Sequence, residues 1–220
     1  MIARRAEELA PFMVMEVLER AREMERQGED IIHLEVGEPD FDVPSPVKKA
    51  TCWALEEGAT HYTHSLGDIQ LREAICEHYL DDYGAEIRPE QVVVTSGTSP
   101  AMMLAFASLL ERGEEVIVSD PGYACYPNFI KFLGGVPTRV PVYEQDGFRL
   151  RVEAIRERIS YNTKAILINS PSNPTGCLIS EEDMKAIAGL SPYIISDEIY
   201  HGLVYEGQEH SILEFTDRAF

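Results

Sequence analysis

The stretch KAILINSPSNPTGCLISEEDMKAIAGLSPYIISDEIY, residues 164–200, decides the fold class. Residues 164–170 and 193–196 are short, continuous apolar runs, which are typical of strands buried on both faces. Residues 181–189, between them, have the pattern of a helix. A strand, a helix and a second strand in this order form the unit from which parallel sheets are built. The sequence therefore predicts a parallel sheet covered by helices.

The same alternation extends towards the N-terminus. Further strands are predicted at residues 31–37, 91–96, 114–120 and 136–142. Further helices are predicted at residues 11–27, 46–57, 68–82, 98–111, 123–133 and 151–158. We expect an α/β fold with a mostly parallel sheet sandwiched by helices. In such a fold, ligands bind at the carboxyl ends of the strands.

The composition narrows the possible functions. The 220 residues include 19 Lys and Arg against 38 Asp and Glu, a net charge of −19. This charge argues against binding to nucleic acid or to an anionic membrane surface. The four cysteines and six histidines form no CxxC or HExxH pattern, so we expect no metal site. Scattered cysteines and the lack of a signal-peptide core predict a cytoplasmic protein with reduced thiols.

Polar clusters follow four of the predicted strands. They are SGTS at 96–99, DPGY at 120–123, SPSNPTG at 170–176 and DEIY at 197–200. Since the carboxyl ends of parallel strands lie at one edge of a sheet, we expect these clusters to meet there. Four such clusters in this order are a stronger signal of a site than any one of them alone.

Each cluster alone also has an ordinary explanation. SGTS suits a phosphate, because a helix N-terminus offers N–H groups beside hydroxyls, but it also suits a simple helix cap. The GxxxxGK[ST] and GxGxxG patterns are absent, so a nucleotide loop or a dinucleotide site has no support. Tyr123 can stack on a flat ligand or pack as a core or surface residue.

Asn173, Asp197 and Tyr200 present an amide, a carboxylate and a phenol at the same edge. Asn173, held extended by Pro174, can donate to a ligand oxygen or serve as a turn residue. Asp197 can hold a proton on a pyridine nitrogen or cap a following helix. Tyr200 can hydrogen-bond a phenolate-like ring oxygen.

These segments together resemble a known family. The chain resembles the class I/II aminotransferases in six segments. Four contain the polar clusters: TSGTSPA, SDPGYACYPNF, INSPSNPTG and ISDEIYHGLVYE. Two precede them: LEVGEPDFDVP and HYTHSLGDIQLREAI. The class I/II aminotransferases are fold-type-I enzymes that use pyridoxal 5'-phosphate, and the resemblance covers nearly the whole chain. It implies that residues 1–45 are the N-terminal segment of a small domain. It implies that residues 46–220 are a cofactor-binding large domain that is incomplete at its C-terminal side.

The resemblance implies that the first two polar clusters bind the cofactor. Ser96, Gly97 and Thr98 would bind its phosphate through backbone and hydroxyl donors. Tyr123 would stack on its pyridine ring.

The last two clusters are implied to set the electronic state of the ring. Asp197 would pair with the protonated ring nitrogen, and Asn173 and Tyr200 would bond the ring's 3'-oxygen. Gly37 and Asn173 would lie against the substrate. Tyr62 would reach the phosphate held by a neighbouring subunit, which implies a homodimer.

These 220 residues lack the family's catalytic lysine. That lysine forms the Schiff base with the cofactor and follows a later strand, in a Ser-x-Ser-Lys type motif. The lysines of this chain stand in no such motif: Lys48, Lys49, Lys131, Lys164 and Lys185. The arginine that grips the substrate α-carboxylate is also absent. We therefore expect a fragment of an enzyme that transfers an amino group between an amino acid and a 2-oxoacid, unable to do so alone.

Two alternatives remain open. A C–S lyase or synthase on the same scaffold would use the same Asp197, Asn173 and Tyr200, because substrate alignment decides which bond breaks. The other alternative is a non-catalytic binding or regulatory module on this fold. The N-terminus carries no basic DNA-reading segment, which argues against a DNA-binding regulator. A downstream lysine would separate an enzyme from a degenerate copy.

Overall fold

The computed structural model describes Ala3, Glu7 and residues 9–220. Two compact units form, Ala10–Asp68 and Ile69–Phe220, and the described residues before Ala10 belong with the second. The boundary predicted after residue 45 separates the small domain from the large domain of a longer enzyme, and it stays a prediction.

The unit Ala10–Asp68 contains two long helices. Helix α1 spans Met13–Arg26 and helix α2 spans Ser45–Glu56, as the sequence predicts. The strand predicted at residues 31–37 is wrong, because this segment is irregular and its Ile32 and Leu34 side chains are 84% and 89% exposed. A strand requires a hydrogen-bonded neighbour, and among the described residues none pairs with this segment.

The unit Ile69–Phe220 alternates helices with strands. Its helices are α3 (Ile69–Tyr83), α4 (Thr98–Leu109), α5 (Tyr126–Phe132), α6 (Val152–Arg156) and α7 (Glu181–Ala188). Its strands are β1 (Glu115–Asp120), β2 (Val136–Pro141), β3 (Thr163–Asn169) and β4 (Tyr193–Asp197). Short 3-10 helices lie at Pro89–Gln91, Glu144–Asp146 and Ile212–Glu214. Across the described ranges, no helix has the length and apolarity that a membrane crossing requires.

The four strands form one parallel sheet in the order β2–β1–β3–β4. Asp120 at the end of β1 lies opposite Pro141 of β2, and Asn169 at the end of β3 lies opposite Asp197 of β4. Helices α5, α6 and α7 connect successive strands, as parallel pairing requires. The predicted α/β architecture is confirmed, and three of the four polar clusters follow strands that end at one edge.

Alternate strand residues face two separate cores. One core contains Ile117, Ile166, Ile168 and Ile194, packed with Ile155 of α6 and Met184 of α7. The other contains Val116, Val118, Leu167 and Ile195, packed with Phe106 of α4 and Ile130 of α5. Because both faces of β1, β3 and β4 are buried, these strands contain unbroken apolar runs instead of alternating sequences.

The strand predicted at residues 91–96 is wrong. Val92 has extended backbone, with φ −100° and ψ 127°, but residues 92–95 pair with no strand in the described part of the chain. Residues 218–220, in contrast, do pair with β4. The Phe220 N–H donates to the Ile194 carbonyl and the Ser196 N–H donates to the Phe220 carbonyl, both over 2.9 Å. An apolar β-branched run thus becomes a strand only where a neighbour supplies hydrogen bonds.

Candidate functional site

A cavity of about 240 Å³ lies at the carboxyl ends of β1, β3 and β4. It is lined by Thr98, Ser99, Met102, Tyr123, Tyr126, Phe129, Asn169, Asn173, Asp197, Ile199 and Tyr200. Five of these are site residues that the sequence predicts: Thr98, Tyr123, Asn173, Asp197 and Tyr200. The fold therefore brings residues from all four polar clusters around one space.

Asp197 is the buried carboxylate of this cavity. It is the last residue of β4 and only 7% exposed. The Tyr126 hydroxyl donates to its Oδ2 over 2.7 Å, and the Ile199 N–H donates to its Oδ1 over 3.2 Å. Residues 199–202 form a turn and no helix follows directly, so the alternative in which Asp197 caps a following helix is wrong. The two bonds fix the orientation of the carboxylate.

Asn173 and Tyr200 form a hydrogen-bonded pair on the cavity wall. The Asn173 Nδ2 donates to the Tyr200 hydroxyl over 3.0 Å. The Asn173 N–H in turn donates to Asn169 Oδ1 over 2.6 Å, and Asn169 Nδ2 donates to the Asp197 carbonyl over 2.8 Å. The peptide bonds before Pro171 and Pro174 are cis. This chain of bonds links the ends of β3 and β4 and places the amide beside the phenol.

Tyr123 and Tyr126 supply an aromatic wall. Their rings are nearly perpendicular, with centroids 5.2 Å apart and an angle of 76° between the planes. Burial raises the pKa of Tyr123 to about 12, with smaller contributions from Cys125, Tyr200 and Asp197. Burial also raises the pKa of Tyr126, and the Asp197 carboxylate adds to the effect. Both phenols are therefore neutral at neutral pH and can act as hydrogen-bond donors.

The backbone that leads to Tyr123 is tightly packed. The peptide bond between Asp120 and Pro121 is cis. A Cβ added at Gly122 would lie 2.7 Å from the Ser119 carbonyl oxygen and 2.8 Å from the Ser119 Oγ. Only glycine fits without a shift of the turn that positions Tyr123.

The predicted phosphate-binding cluster surrounds the start of α4. Gly97 precedes the helix with a φ of +109°, a conformation that favours glycine. Thr98 and Ser99, in the first turn, line the cavity, whereas Ser96 and Gly97 lie exposed before it. The first N–H groups of a helix lack partners within the helix, so this end of α4 offers donors to an anion.

Gly37 and Tyr62 belong to the unit Ala10–Asp68, in which both are exposed. The cavity is built from the unit Ile69–Phe220 alone. The substrate contact expected of Gly37 and the intersubunit contact expected of Tyr62 stay predictions.

The comparison with family models identifies the chain. Residues 29–219 match the model of aminotransferase class I and II. This chain belongs to that family.

Relatives of this aminotransferase chain agree with the match. It is 44% identical over 217 residues to a protein of Methanocaldococcus jannaschii named (5-formylfuran-3-yl)methyl phosphate transaminase, covering 99% of this chain and 56% of that protein. It is 43% identical over 201 residues to the aspartate aminotransferase of Pyrococcus horikoshii, covering 90% of this chain and 50% of that one. The chain spans about half the length of these curated relatives.

A solved structure gives the same result for the fold. The aspartate aminotransferase of Thermus thermophilus with maleate matches with a TM-score of 0.96 and 38% sequence identity. The match covers 100% of this chain and 59% of that structure.

Membership of the aminotransferase family implies pyridoxal 5'-phosphate as the cofactor, and the donor chemistry of the cavity fits it. The hydrogen bonds to the Asp197 carboxylate come from neutral donors, Tyr126 and Ile199. A cationic ring nitrogen would therefore supply the charge partner that a buried carboxylate requires. The Asn173 amide and Tyr200 phenol suit a ring oxygen. None of the five lysines lines the cavity.

Sequence reasoning missed Tyr126 and Asn169, which hold the predicted residues in place. Tyr126 follows Tyr123 by three residues, which is about one helical turn, and that spacing was an available signal. Asn169 is the polar last residue of β3, directly after a buried apolar run and opposite Asp197 in register. Neither carries a motif of its own, because each acts through a neighbour.

Proposed function

We propose that the chain supplies the cofactor-binding part of a pyridoxal-phosphate-dependent aminotransferase. Such an enzyme transfers an amino group between an amino acid and a 2-oxoacid. The observation that carries the proposal is the placement of Asp197, Asn173, Tyr200 and Tyr123 around one cavity, in a chain of the aminotransferase family.

Each wall of the cavity suits one part of the cofactor. Asp197 would hold a proton on the ring nitrogen, and Asn173 and Tyr200 would donate to the ring oxygen. Tyr123 would cover one face of the ring. When bound, pyridoxal phosphate accepts the electron pair left when the substrate loses its α-proton. A carboxylate that keeps the ring nitrogen protonated strengthens this acceptance.

The phosphate would sit at the start of α4. Ser96, Gly97 and Thr98 would provide backbone N–H and hydroxyl donors there, and the helix dipole favours the negative charge. This arrangement lets a chain of net charge −19 hold an anion locally.

The remaining parts of the active enzyme are proposed from relatives of greater length. The lysine that moves the α-proton would come from the portion of those relatives that this chain does not span. Gly37 would contact the substrate, and Tyr62 would reach the phosphate site of a second subunit in a homodimer. The four cysteines are free, which supports a cytoplasmic location.

Amino transfer by the full-length protein tests the proposal, because these 220 residues lack the catalytic lysine and are expected not to transaminate alone. Pyridoxal phosphate, 2-oxoglutarate and a panel of amino acids, aspartate and aromatic ones included, are supplied, and glutamate formation is measured. We expect cofactor-dependent glutamate formation with at least one donor. Release of pyruvate and ammonia from a sulfur-containing amino acid, without glutamate, would favour the lyase alternative. No reaction with any donor would contradict the proposal.

A further inference from the structure

The hydroxyl of Tyr126 has no part in the function described so far. Tyr126 is the first residue of α5 and only 3% exposed. Its ring packs in the core that also holds Met102, Val118, Leu167 and Ile195. A side chain held this firmly keeps its hydroxyl in one place, and that place is 2.7 Å from Asp197 Oδ2.

The two carboxylate oxygens of Asp197 are held from different sides. Tyr126 donates to Oδ2 from α5, and the Ile199 N–H donates to Oδ1 from the turn after β4. A carboxylate oxygen can accept more than one hydrogen bond, so each retains an acceptor site. The carboxylate can then face the cavity while both bonds persist.

We propose that Tyr126 is a positioning residue that holds Asp197 as an anion facing the ring nitrogen of pyridoxal phosphate. The inference rests on the proposed function, because Asp197 meets a ring nitrogen only if the cofactor binds in this cavity. It assigns a role to a residue that does not itself contact that nitrogen.

The physical argument concerns the proton between Asp197 and the ring nitrogen. In a buried pair of this kind, the proton can lie on the nitrogen, giving two charges, or on the carboxylate, giving none. A hydrogen bond to the carboxylate stabilises its charged form. Tyr126 therefore shifts the proton towards the nitrogen, which is the state that makes the ring a strong electron acceptor.

Nitrogen NMR of the bound cofactor tests this directly. The protein as its gene encodes it is loaded with pyridoxal phosphate carrying ¹⁵N in the ring, and the ring resonance is recorded at neutral pH. In Tyr126→Phe, we expect the nitrogen-protonated form to lose about tenfold in population relative to the neutral pair, because one charge-assisted hydrogen bond is lost. The ¹⁵N resonance then moves towards that of an unprotonated pyridine.

Tyr79→Phe is the matched control. Tyr79 is another half-buried phenol, and the carboxylate that adds to its raised pKa belongs to Glu198, which does not line the cavity. This variant also removes the hydroxyl of a tyrosine whose pKa burial raises, and it should leave the ¹⁵N resonance unchanged. A general loosening of the fold would move the resonance in both variants.

A second substitution retains the hydroxyl, so that the inference can still be tested if the Tyr126→Phe variant does not fold. A fluorinated tyrosine at position 126 is a stronger acid and a stronger donor, so it should shift the resonance further towards the protonated value. If both substitutions at 126 leave the resonance as in the unaltered protein, the inference is overturned while the proposed function stands. If the unaltered protein binds no pyridoxal phosphate, both are overturned.

Discussion

At the scale of single residues, the site consists of side chains that line the cavity and of hydrogen bonds that hold those side chains in place. Asp197, Asn173 and Tyr200 could be predicted because four polar clusters follow strands in an order that resembles a known family, although each cluster alone has an ordinary explanation. Tyr126 and Asn169 could not be, because their effect depends on distances across the sheet edge. Those distances arise only when α5, β3 and β4 have packed.

Gly122 illustrates a requirement that the sequence shows only as a turn residue. Gly122→Ala places a Cβ against Ser119, and we expect a loss of about 1–3 kcal/mol in the free energy of unfolding. Gly189→Ala is the control, since a Cβ there meets its nearest atoms at 3.6 Å and φ is −77°. Urea denaturation measures both. Equal stability of the two variants would show that the turn before Tyr123 yields without cost.

Three tyrosines with raised pKa values make the folded state less stable at alkaline pH. The pKa values of Tyr79, Tyr83 and Tyr123 are raised to about 12, chiefly by burial. Below about pH 10, tyrosine is neutral in both the folded and the unfolded chain and contributes nothing to pH dependence. Between about pH 10 and 12 the unfolded chain releases these protons and the folded chain retains them, so stability falls as pH rises.

The measurement is a series of urea unfolding curves from pH 9 to pH 12, with tyrosinate absorbance followed in parallel. We expect the unfolding midpoint to fall across the upper part of this range and tyrosinate to appear together with unfolding. Tyr79→Phe removes one of the three groups and should reduce the dependence on pH. A midpoint that stays constant to pH 12 would contradict the burial of these phenols.

At the scale of elements, a strand was predicted correctly where its neighbour lies in the same chain. The runs that became β1, β3 and β4 have partners within the chain. The run at 92–95 is equally apolar and β-branched, yet it pairs with nothing among the residues described. Local sequence reports the tendency to be extended, whereas ladder formation depends on residues far away in sequence.

Helix α7 lies in the crossover between β3 and β4 and begins with a well-formed N-cap. The Ser180 hydroxyl accepts a hydrogen bond from the Asp183 N–H over 3.2 Å. We expect Ser180→Ala to lower the free energy of unfolding by about 1 kcal/mol. Ser191→Ala serves as the control, because Ser191 is exposed and its carbonyl, which alanine keeps, is the group that Arg218 contacts. Denaturation curves that rank Ser191→Ala as the less stable variant would refute the cap.

At the scale of the whole molecule, the two units differ in how well they bury apolar side chains. The sheet unit has two cores of nearly inaccessible residues. In the unit Ala10–Asp68, by contrast, Ile32, Leu34, Phe41 and Trp53 are exposed. Exposed apolar groups on this scale mark surfaces that contact other protein.

The central claim is that the cavity at the strand ends holds pyridoxal phosphate through Asp197. The most direct measurement is a titration of the protein with pyridoxal phosphate, followed by cofactor absorbance, for the unaltered protein, Asp197→Asn and Asp183→Asn. Both carboxylates are 7% exposed, but Asp183 pairs with Arg149 and lies outside the cavity. We predict saturable binding that Asp197→Asn weakens by about tenfold or more and that Asp183→Asn leaves unchanged. Binding that is absent, or equally strong in both variants, would contradict the claim.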